Sequence, residues 1–340
     1  MPTSHRVAVL GGGSFGTVIA NIIARNGYEV RLWLHKAQRA SEITGQRENS
    51  DYLPGYKLDD RLTATDALHE TLEGIDVLFV AVPSQSFRSV VNEASKFLDS
   101  QCLVVSLTKG IEAGGFKLMS EIVREELPHD PRAVLSGPNL AREIAAGQVT
   151  GSVVASIAQE THALLHDLLH CERFLIYNSQ DMYGVELGGA LKNVYAILSG
   201  LGAALDYGEN TMGILLTRSL AEMSRFAVHM GANPMTFLGL SGVGDLFVTC
   251  SSPLSRNYWV GYAVGKGEPL DAVLGAMDQI AEGINTLGLL KEEADRRAVP
   301  MPLVKGLYAI LYEHRPVSEL FSDMISSEQS QDVEFVTGES

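Results

Sequence analysis

The stretch VAVLGGGSFGTVIA, residues 7–20, joins a short apolar strand to a glycine cluster and the start of a helix. Gly11, Gly13 and Gly16 fit the spacing G-x-G-x-x-G between the predicted strand and the predicted helix. This context is typical of a dinucleotide-binding turn, in which the glycines permit a tight turn, close approach of a pyrophosphate and close helix–strand packing. The helix N-terminus also offers unpaired N–H groups to an anion. A glycine-rich turn without a ligand is the competing interpretation.

Further apolar runs predict a sheet that continues from this turn. The predicted strands span residues 6–10, 29–34, 76–82, 102–107, 132–137 and 151–156. Several of them are apolar on both faces, which is typical of parallel strands covered by helices on both sides. Since helix-compatible segments separate most of the strands, the pattern predicts an α/β fold with an N-terminal Rossmann-type doubly wound sheet.

The character of the sequence changes near residue 181. The long apolar segment 181–205 and the stretches 211–231, 254–266, 283–297 and 302–314 all have helical spacing of apolar residues. An all-α second domain is therefore predicted. The expected organisation is a dinucleotide-binding domain over residues 1–180, a helical substrate domain over 181–326 and a polar, mobile tail over 327–340.

Composition excludes several classes of function. The chain has 340 residues and a formal net charge of −15, so nucleic acid and anionic membrane surfaces repel it. Its three cysteines lie far apart and form neither a zinc motif nor an evident disulfide framework. The sequence contains no 18-residue apolar run and no secretory signal, so no integral membrane association is expected and the cytoplasm is the default location.

The end of the second predicted strand bears on the choice of cofactor. NAD-specific sites usually carry an acidic residue about 20 positions after the glycine motif, against the ribose hydroxyls. Here His35 and Lys36 stand in that region, and Arg39 follows. Because a 2′-phosphate meets cations and no carboxylate there, the sequence favours NADP(H), with NAD(H) also possible. In the competing interpretation, Lys36 and Arg39 are solvent-exposed residues at the start of a helix and bind no ligand.

Four other segments carry candidate chemistry. Lys109 follows an apolar strand, and strand ends face the ligand crevice in doubly wound sheets. Asn139 follows another strand and is expected to cap the next helix. Lys192 lies inside a strongly apolar helix, where an unpaired ammonium is costly to bury. The fourth segment, residues 241–261, contains Asp245 and Arg256.

The motifs GGGSFGT, TKG, SGPNLAREIAAG, GVELGGALKNV, GVGDLFVTC and SRNYWVG resemble those of the bacterial NAD(P)-dependent glycerol-3-phosphate dehydrogenases. The resemblance runs through nearly the whole chain and leaves out only the acidic tail. It implies interconversion of dihydroxyacetone phosphate plus NAD(P)H and sn-glycerol 3-phosphate plus NAD(P)+, supplying phospholipid synthesis. It also implies a homodimer and a helical domain like that of 6-phosphogluconate dehydrogenases.

The resemblance and the motif arguments together give three sets of expected site residues. Lys192 is the expected proton donor and acceptor, with Lys109 and Asp245 as further catalytic residues. The expected substrate contacts are Lys109, Gly137, Asn139, Lys192, Asn193, Asp245, Thr249, Ser255, Arg256 and Asn257. The expected cofactor contacts are Gly11, Gly13, Ser14, Phe15, Gly16, His35, Lys36, Lys109, Ala141, Arg256, Ile280 and Glu282. At Asn139 the family often carries Ser or Thr.

The residue types suit this reaction on chemical grounds. An ammonium at Lys192 can polarise a carbonyl and deliver a proton, and an apolar helix with a second lysine nearby would lower its pKa. Arg256 supplies the planar fork that suits a phosphate. Histidines 162, 166 and 170 have helical metal-pair spacing, but a surface stripe is the favoured interpretation and no metal is expected. A hydroxyacid dehydrogenase and a non-catalytic dinucleotide sensor are the alternative functions.

Overall fold

A computed structural model describes residues 5–127, 132–277, 281–317 and 319. The chain divides into two compact units. Unit 1 comprises Met1–Thr108 and Lys117–Met182, and unit 2 comprises Lys109–Phe116 and Tyr183–Ser340. The predicted mobile tail, residues 327–340, lies outside the described residues.

Unit 1 is built on one eight-stranded sheet in the order β10-β9-β8-β5-β4-β1-β2-β3. The strands of this sheet are β1 (Val7–Leu10), β2 (Val30–Trp33), β3 (Leu62–Thr65), β4 (Val77–Val80), β5 (Leu103–Ser106), β8 (Arg132–Ser136), β9 (Thr150–Ala155) and β10 (Phe174–Ser179). The two-residue strands β6 (Ile111–Glu112), which belongs to unit 2, and β7 (Lys117–Leu118), which belongs to unit 1, are not part of the sheet. The order reverses between β1 and β4, which is the switch point of a doubly wound sheet. The predicted Rossmann-type α/β fold is confirmed.

One strand pair departs from the all-parallel expectation. β8 and β9 run antiparallel, with Val134 opposite Ala155, whereas the sheet's other pairs are parallel. The connection between these two strands, residues 137–149, is close to the minimum length for a parallel crossover. The edge strands β3 and β10 were not among the predicted strands. In β3, polar residues such as Thr63 interrupt the apolar pattern, whereas β10 begins with the short apolar run FLIY and ends in the polar residues Asn178 and Ser179.

The helices of unit 1 cover both faces of the sheet. They are α1 (Ser14–Arg25), α2 (Ala37–Gln46), α3 (Leu68–Leu72), α4 (Ser84–Ser95), α5 (Met119–Glu126), α6 (Ala141–Ala145) and α7 (Gln159–Leu169). One buried cluster joins β1 residues such as Val9 to α1 and α7, and a second joins Leu10 to α4 and α5. Alternate residues of β1 thus enter opposite cores, which explains why that strand is apolar throughout.

Helices dominate unit 2, as the sequence predicts. They are α8 (Met182–Ala204), α9 (Glu209–His229), α10 (Asp245–Ser251), α11 (Arg256–Gly265), α12 (Leu270–Gly275), α13 (Glu282–Arg296) and α14 (Pro302–Tyr312), with a 3-10 helix at Pro234–Leu238 and a π-helical turn at Leu240–Gly244. Within the described residues, none of the helices is long and apolar enough to cross a membrane.

Glycines allow α8 to sit in the middle of this unit. A Cβ at Gly200 would lie 2.0 Å from the Tyr258 carbonyl oxygen, and one at Gly261 would lie 1.9 Å from the Ile197 carbonyl oxygen. The backbones of α8 and α11 are therefore too close for any side chain at these two positions. The glycine-dotted composition of α8 follows from this packing.

The segment Lys109–Phe116 groups with unit 2, although the sequence analysis placed it in the continuous domain 1–180. Three contacts explain the grouping. The Lys109 ammonium binds Asp245, β6 packs against α13, and the Phe116 ring meets the Phe226 ring edge-on with 5.5 Å between centroids.

Candidate functional site

The glycine turn of unit 1 has little room except at one position. Gly11 has a φ of +114°, and a Cβ there would lie 2.5 Å from the Ala81 carbonyl oxygen. A Cβ at Gly16 would lie 2.0 Å from the Gly11 carbonyl oxygen. A Cβ at Gly13, in contrast, would meet no atom of the described residues within 4 Å. The turn therefore opens only at Gly13, where a ligand can approach the backbone.

The start of α1 supplies hydrogen-bond donors at that opening. Gly13 is the N-cap residue, so it has no side chain with which to cap the helix. The first turn contains no carboxylate, and its N–H groups and the helix dipole together favour an anion. Phe15 and Ala141 are partly buried against the adjoining apolar core.

Asn49 holds this turn in place and was missed in the sequence analysis. Its side chain is 3% exposed, and Nδ2 donates to the Gly12 carbonyl oxygen at 2.9 Å and to Thr17 Oγ1 at 2.8 Å. An asparagine in a polar loop carries no sequence signal for such a role, because only the fold brings it 37 residues back to the turn.

The end of β2 carries the residues expected to decide the cofactor. His35 and Lys36 are exposed, and Lys36 is the N-cap residue of α2. Arg39 Nε forms an ion pair with Asp51 Oδ2 at 2.7 Å, and Arg39 Nη1 donates to Tyr52 Oη at 2.9 Å. The charge of Arg39 is thus partly balanced by an acid that lies twelve residues further along the chain.

The expected helix-capping role of Asn139 is wrong. Leu140 is the N-cap residue of α6, and Asn139 Oδ1 instead accepts a hydrogen bond from Ser152 Oγ at 3.1 Å. The asparagine side chain therefore ties the end of β8 to β9. Gly137, next to the same strand end, has a φ of +142°, which a side chain would strain.

Unit 2 contains a buried cluster of two lysines and one aspartate. Asp245 is 1% exposed, and its Oδ2 accepts from Lys109 Nζ at 2.7 Å while its Oδ1 accepts from Lys192 Nζ. Lys192 Nζ also donates to Thr249 Oγ1 at 2.6 Å. The structure therefore brings together three residues that the sequence separates by 136 positions. We call Lys109, Lys192, Asp245 and Thr249 the lysine cluster.

Burial sets the protonation of the lysine cluster. Lys192 is 6% exposed, and its pKa is lowered from 10.5 to about 7, chiefly by burial. Within that value, the neighbouring Asp245 carboxylate opposes the effect of burial, and the Lys109 ammonium adds to it. Because that value lies close to neutrality, Lys192 can either give or take a proton under mild conditions.

The backbone before α10 aims Asp245 at the lysines. The π-helical turn Leu240–Gly244 leads directly into α10, and Asp245 is the first residue of that helix. A Cβ at Gly242 would lie 2.3 Å from the backbone of Phe237, so this tight path requires glycine. Such π-helical turns are frequent at functional sites.

Two of the expected substrate contacts bind each other. Asn257 Nδ2 donates to Asn193 Oδ1 at 3.0 Å, and Asn257 Oδ1 accepts from the Gly283 N–H at 3.0 Å. These bonds tie α8, α11 and α13 together beside the lysine cluster. They also fix the position of Glu282, the first residue of α13.

Arg256 lies at the first position of α11 and is exposed. Ser255 caps the helix, since its side chain accepts from the Tyr258 N–H at 3.3 Å. A cation at a helix N-terminus is unfavourable because the helix dipole is positive there. An anionic ligand at this position would interact favourably with both the Arg256 guanidinium and the helix N-terminus. Ile280, an expected cofactor contact, lies outside the described residues.

Metal ligation finds no support in the described part of the chain. No group of three or more His, Cys, Asp or Glu side chains there could hold a metal ion. His166 and His170 stack with 4.3 Å between ring centroids, and His162 Nε2 lies 3.1 Å from the Ser179 carbonyl oxygen.

Comparisons with known proteins match both units to one family. Sequence models of the N-terminus and the C-terminus of NAD-dependent glycerol-3-phosphate dehydrogenase match residues 6–162 and 181–322. The glycerol-3-phosphate dehydrogenase [NAD(P)+] of Pseudomonas aeruginosa is 52% identical over 336 residues, covering 99% of this chain and 98% of the relative. That of Alcanivorax borkumensis is 49% identical over 334 residues, covering 98% and 97%.

A solved structure agrees with the sequence relatives. The crystal structure of glycerol-3-phosphate dehydrogenase from Coxiella burnetii superposes with a TM-score of 0.92 at 35% identity, covering 96% of this chain and 100% of that one. D-mandelate dehydrogenase with NADH superposes with a TM-score of 0.58 at 13% identity, which indicates a similar fold alone.

Proposed function

The chain belongs to the NAD(P)-dependent glycerol-3-phosphate dehydrogenases, oxidoreductases that interconvert dihydroxyacetone phosphate and glycerol 3-phosphate, and we propose that Lys192 is its proton donor and acceptor. The observation that carries the proposal is the buried lysine cluster. It combines a lysine whose pKa lies at about 7 with a carboxylate that orients it.

The proposed chemistry divides between cofactor and protein. When bound, the nicotinamide supplies the hydride for the carbonyl carbon of the ketone. The Lys192 ammonium polarises the carbonyl oxygen and donates the proton that this oxygen needs once hydride has arrived. In the reverse direction, the neutral Lys192 amine accepts the proton of the alcohol.

The other members of the cluster serve Lys192. Asp245 and Thr249 both bind Nζ and thereby fix where its remaining N–H points. Lys109 keeps positive charge beside the carbonyl oxygen while also lowering the pKa of Lys192. The two lysines then share the electrostatic stabilisation of the carbonyl oxygen, and proton transfer belongs to Lys192.

The glycine turn fits a dinucleotide. The open backbone at Gly13 and the free donors at the start of α1 suit a pyrophosphate, and Ser14, Phe15 and Ala141 line the same region of unit 1. The exposed Lys36 and the lack of an acid at His35–Lys36 support NADP(H) as the favoured cofactor, with NAD(H) also accepted.

We assign the substrate phosphate to Arg256, helped by the N-terminus of α11. The guanidinium offers a planar fork, and the exposed position allows a dianion to reach it. Asn193 and Asn257 then act chiefly by tying α8 to α11, since their amides bind each other. Supply of phospholipid synthesis, a homodimer and a cytoplasmic location are further proposals, which the family resemblance supports.

Replacement of Arg256 with alanine is expected to raise the KM for dihydroxyacetone phosphate by about 30-fold or more, because a charge-assisted bond to phosphate is lost. The change in kcat should be much smaller. Arg256→Lys should be intermediate, and Lys266→Ala at the other end of α11 serves as the control. A KM that hardly moves in Arg256→Ala would assign the phosphate elsewhere.

The pH dependence of both reaction directions tests the proposed function itself. Ketone reduction needs protonated Lys192, so its kcat/KM should fall as pH rises through about 7. Alcohol oxidation needs the neutral amine, so its kcat/KM should rise through the same range. Initial rates of NADH and NADPH turnover with the phosphorylated ketone and alcohol give both profiles. If the ketone elicits no nucleotide oxidation, the proposed function is wrong. If the ketone is reduced but both pH profiles are flat near pH 7, the function stands and the role proposed for Lys192 is wrong.

A further inference from the structure

An acidic side chain engages the guanidinium that follows β2 in unit 1. Arg39 is the third residue of α2, close to the strand end where doubly wound sheets receive the ribose of a dinucleotide. Asp51 Oδ2 lies 2.7 Å from Arg39 Nε. Both side chains keep contact with solvent, with exposures of 30% for Arg39 and 48% for Asp51. The pair is therefore accessible to a charged ligand.

Tyr52 orients Arg39 independently of Asp51. Arg39 Nη1 donates to Tyr52 Oη at 2.9 Å. The Tyr52 carbonyl oxygen in turn accepts from Ser14 Oγ, the first residue of α1, at 2.8 Å. Arg39 is thus tied to the glycine turn through Tyr52. Loss of the Asp51 charge would leave this connection intact.

Asp51 opposes a 2′-phosphate in two ways. Its negative charge repels a phosphate that approaches Arg39, and its carboxylate, with Oδ2 2.7 Å from Nε, takes up the space on that side of the guanidinium. A ribose 2′-hydroxyl carries no charge and meets neither penalty. The ion pair thus reduces the advantage of a 2′-phosphate over a hydroxyl without creating the acidic ribose site of an NAD-specific enzyme.

We propose that Asp51 is a specificity-determining residue, which weakens binding of NADPH relative to NADH by balancing the charge of Arg39. The inference rests on the proposed nucleotide site at the glycine turn. Arg39 attracts the 2′-phosphate, Lys36 adds to that attraction, and Asp51 offsets part of it. An enzyme arranged in this way can use both cofactors with a moderate preference.

Titrations of NADPH and NADH fluorescence against the full chain, without substrate, test this inference independently of turnover. We expect Asp51→Asn to lower the Kd for NADPH about fivefold and to change the Kd for NADH by less than about twofold. Added salt should shrink the NADPH gain, because the effect is electrostatic. Arg39→Gln should raise the Kd for NADPH by about threefold or more, again with little change for NADH.

Asp60→Asn is the matched control. Asp60 pairs with Arg47 at 3.5 Å and is 94% exposed, so this variant removes the same charge from the same loop without touching Arg39. In Asp60→Asn, the ratio of the NADH dissociation constant to the NADPH dissociation constant should equal that of the unaltered chain. An unchanged or lowered ratio in Asp51→Asn would overturn the inference, as would a shift of equal size in Asp60→Asn. If neither nucleotide binds the unaltered chain, the proposed nucleotide site is wrong, and the inference about Asp51 is wrong with it.

Discussion

Lys192→Met is expected to lower kcat for ketone reduction by about 10³-fold, because the variant can neither polarise the carbonyl nor deliver the proton. Methionine fills a similar volume in the apolar middle of α8, so the packing around Gly200 and Gly261 should survive. Lys109 then remains paired with Asp245, which avoids an uncompensated buried carboxylate. Steady-state rates with saturating nucleotide measure the effect.

Nucleotide binding separates this chemical effect from misfolding. Lys192 belongs to unit 2 and the glycine turn to unit 1, so the Kd for NADPH should change little in Lys192→Met. Lys305→Met removes a lysine that is 51% exposed and should leave kcat unchanged. Lys192→Arg keeps the charge but holds its proton, so alcohol oxidation should be lost as severely as in the methionine variant. Near-normal turnover in Lys192→Met would exclude the proposed role.

Asp245→Asn is expected to lower kcat at pH 7 by about 10²-fold and to destabilise unit 2. The carboxylate raises the pKa of Lys192 against the effects of burial and Lys109, so its removal drives that pKa below about 7. Less of Lys192 is then protonated at neutral pH. The reduction profile should therefore shift toward acid, with part of the lost activity returning as pH falls.

The stability cost of Asp245→Asn has a separate origin. The Lys109 ammonium would lose its carboxylate partner, and Lys192 could keep its proton only as a second unpaired ammonium, in a site that is 1% exposed at Asp245. Breaking a buried pair of this kind costs about 3–5 kcal/mol, which a lower urea midpoint would report. Asp206→Asn, which alters a side chain that is 91% exposed, is the control. Unchanged kcat and an unmoved pH profile in Asp245→Asn would contradict the assigned function of the carboxylate.

Local sequence patterns predicted most of unit 1 and most helices of unit 2. The strands β1, β4, β5, β8 and β9 form from apolar runs that are largely buried on both faces, and such runs are visible without any tertiary information. In β2, only alternate residues are fully buried, and its β-prone residues indicate the strand. The edge strand β3 was missed because threonines alternate with its apolar residues, and β10 was missed although it begins with the short apolar run FLIY. The antiparallel pairing of β8 with β9 is a property of chain direction, which composition does not encode.

Buried polar contacts between residues far apart in the chain could not be predicted from the sequence. Glu222 of α9, for example, is 2% exposed and accepts from the Leu303 and Val304 N–H groups at the start of α14. Burial raises the pKa of Glu222 to about 7. In the sequence it looks like an ordinary acid on an amphipathic helix. Asn49 was missed for the same reason, since its partners Gly12 and Thr17 are far away in the chain.

The sequence by itself determined the dinucleotide turn, the two-part organisation and the identity of Lys192 as an unusual residue, because each depends on neighbours within one helix or strand. Only the tertiary structure decided what Lys192 and Arg39 contact. Asp245 meets Lys192 across 53 positions, and Asp51 meets Arg39 from the loop that follows α2. Electrostatic interactions act through space and not along the chain. The effect of Asp245 on the pKa of Lys192, and the effect of Asp51 on the ligand that Arg39 binds, therefore depend on the fold that brings each pair together.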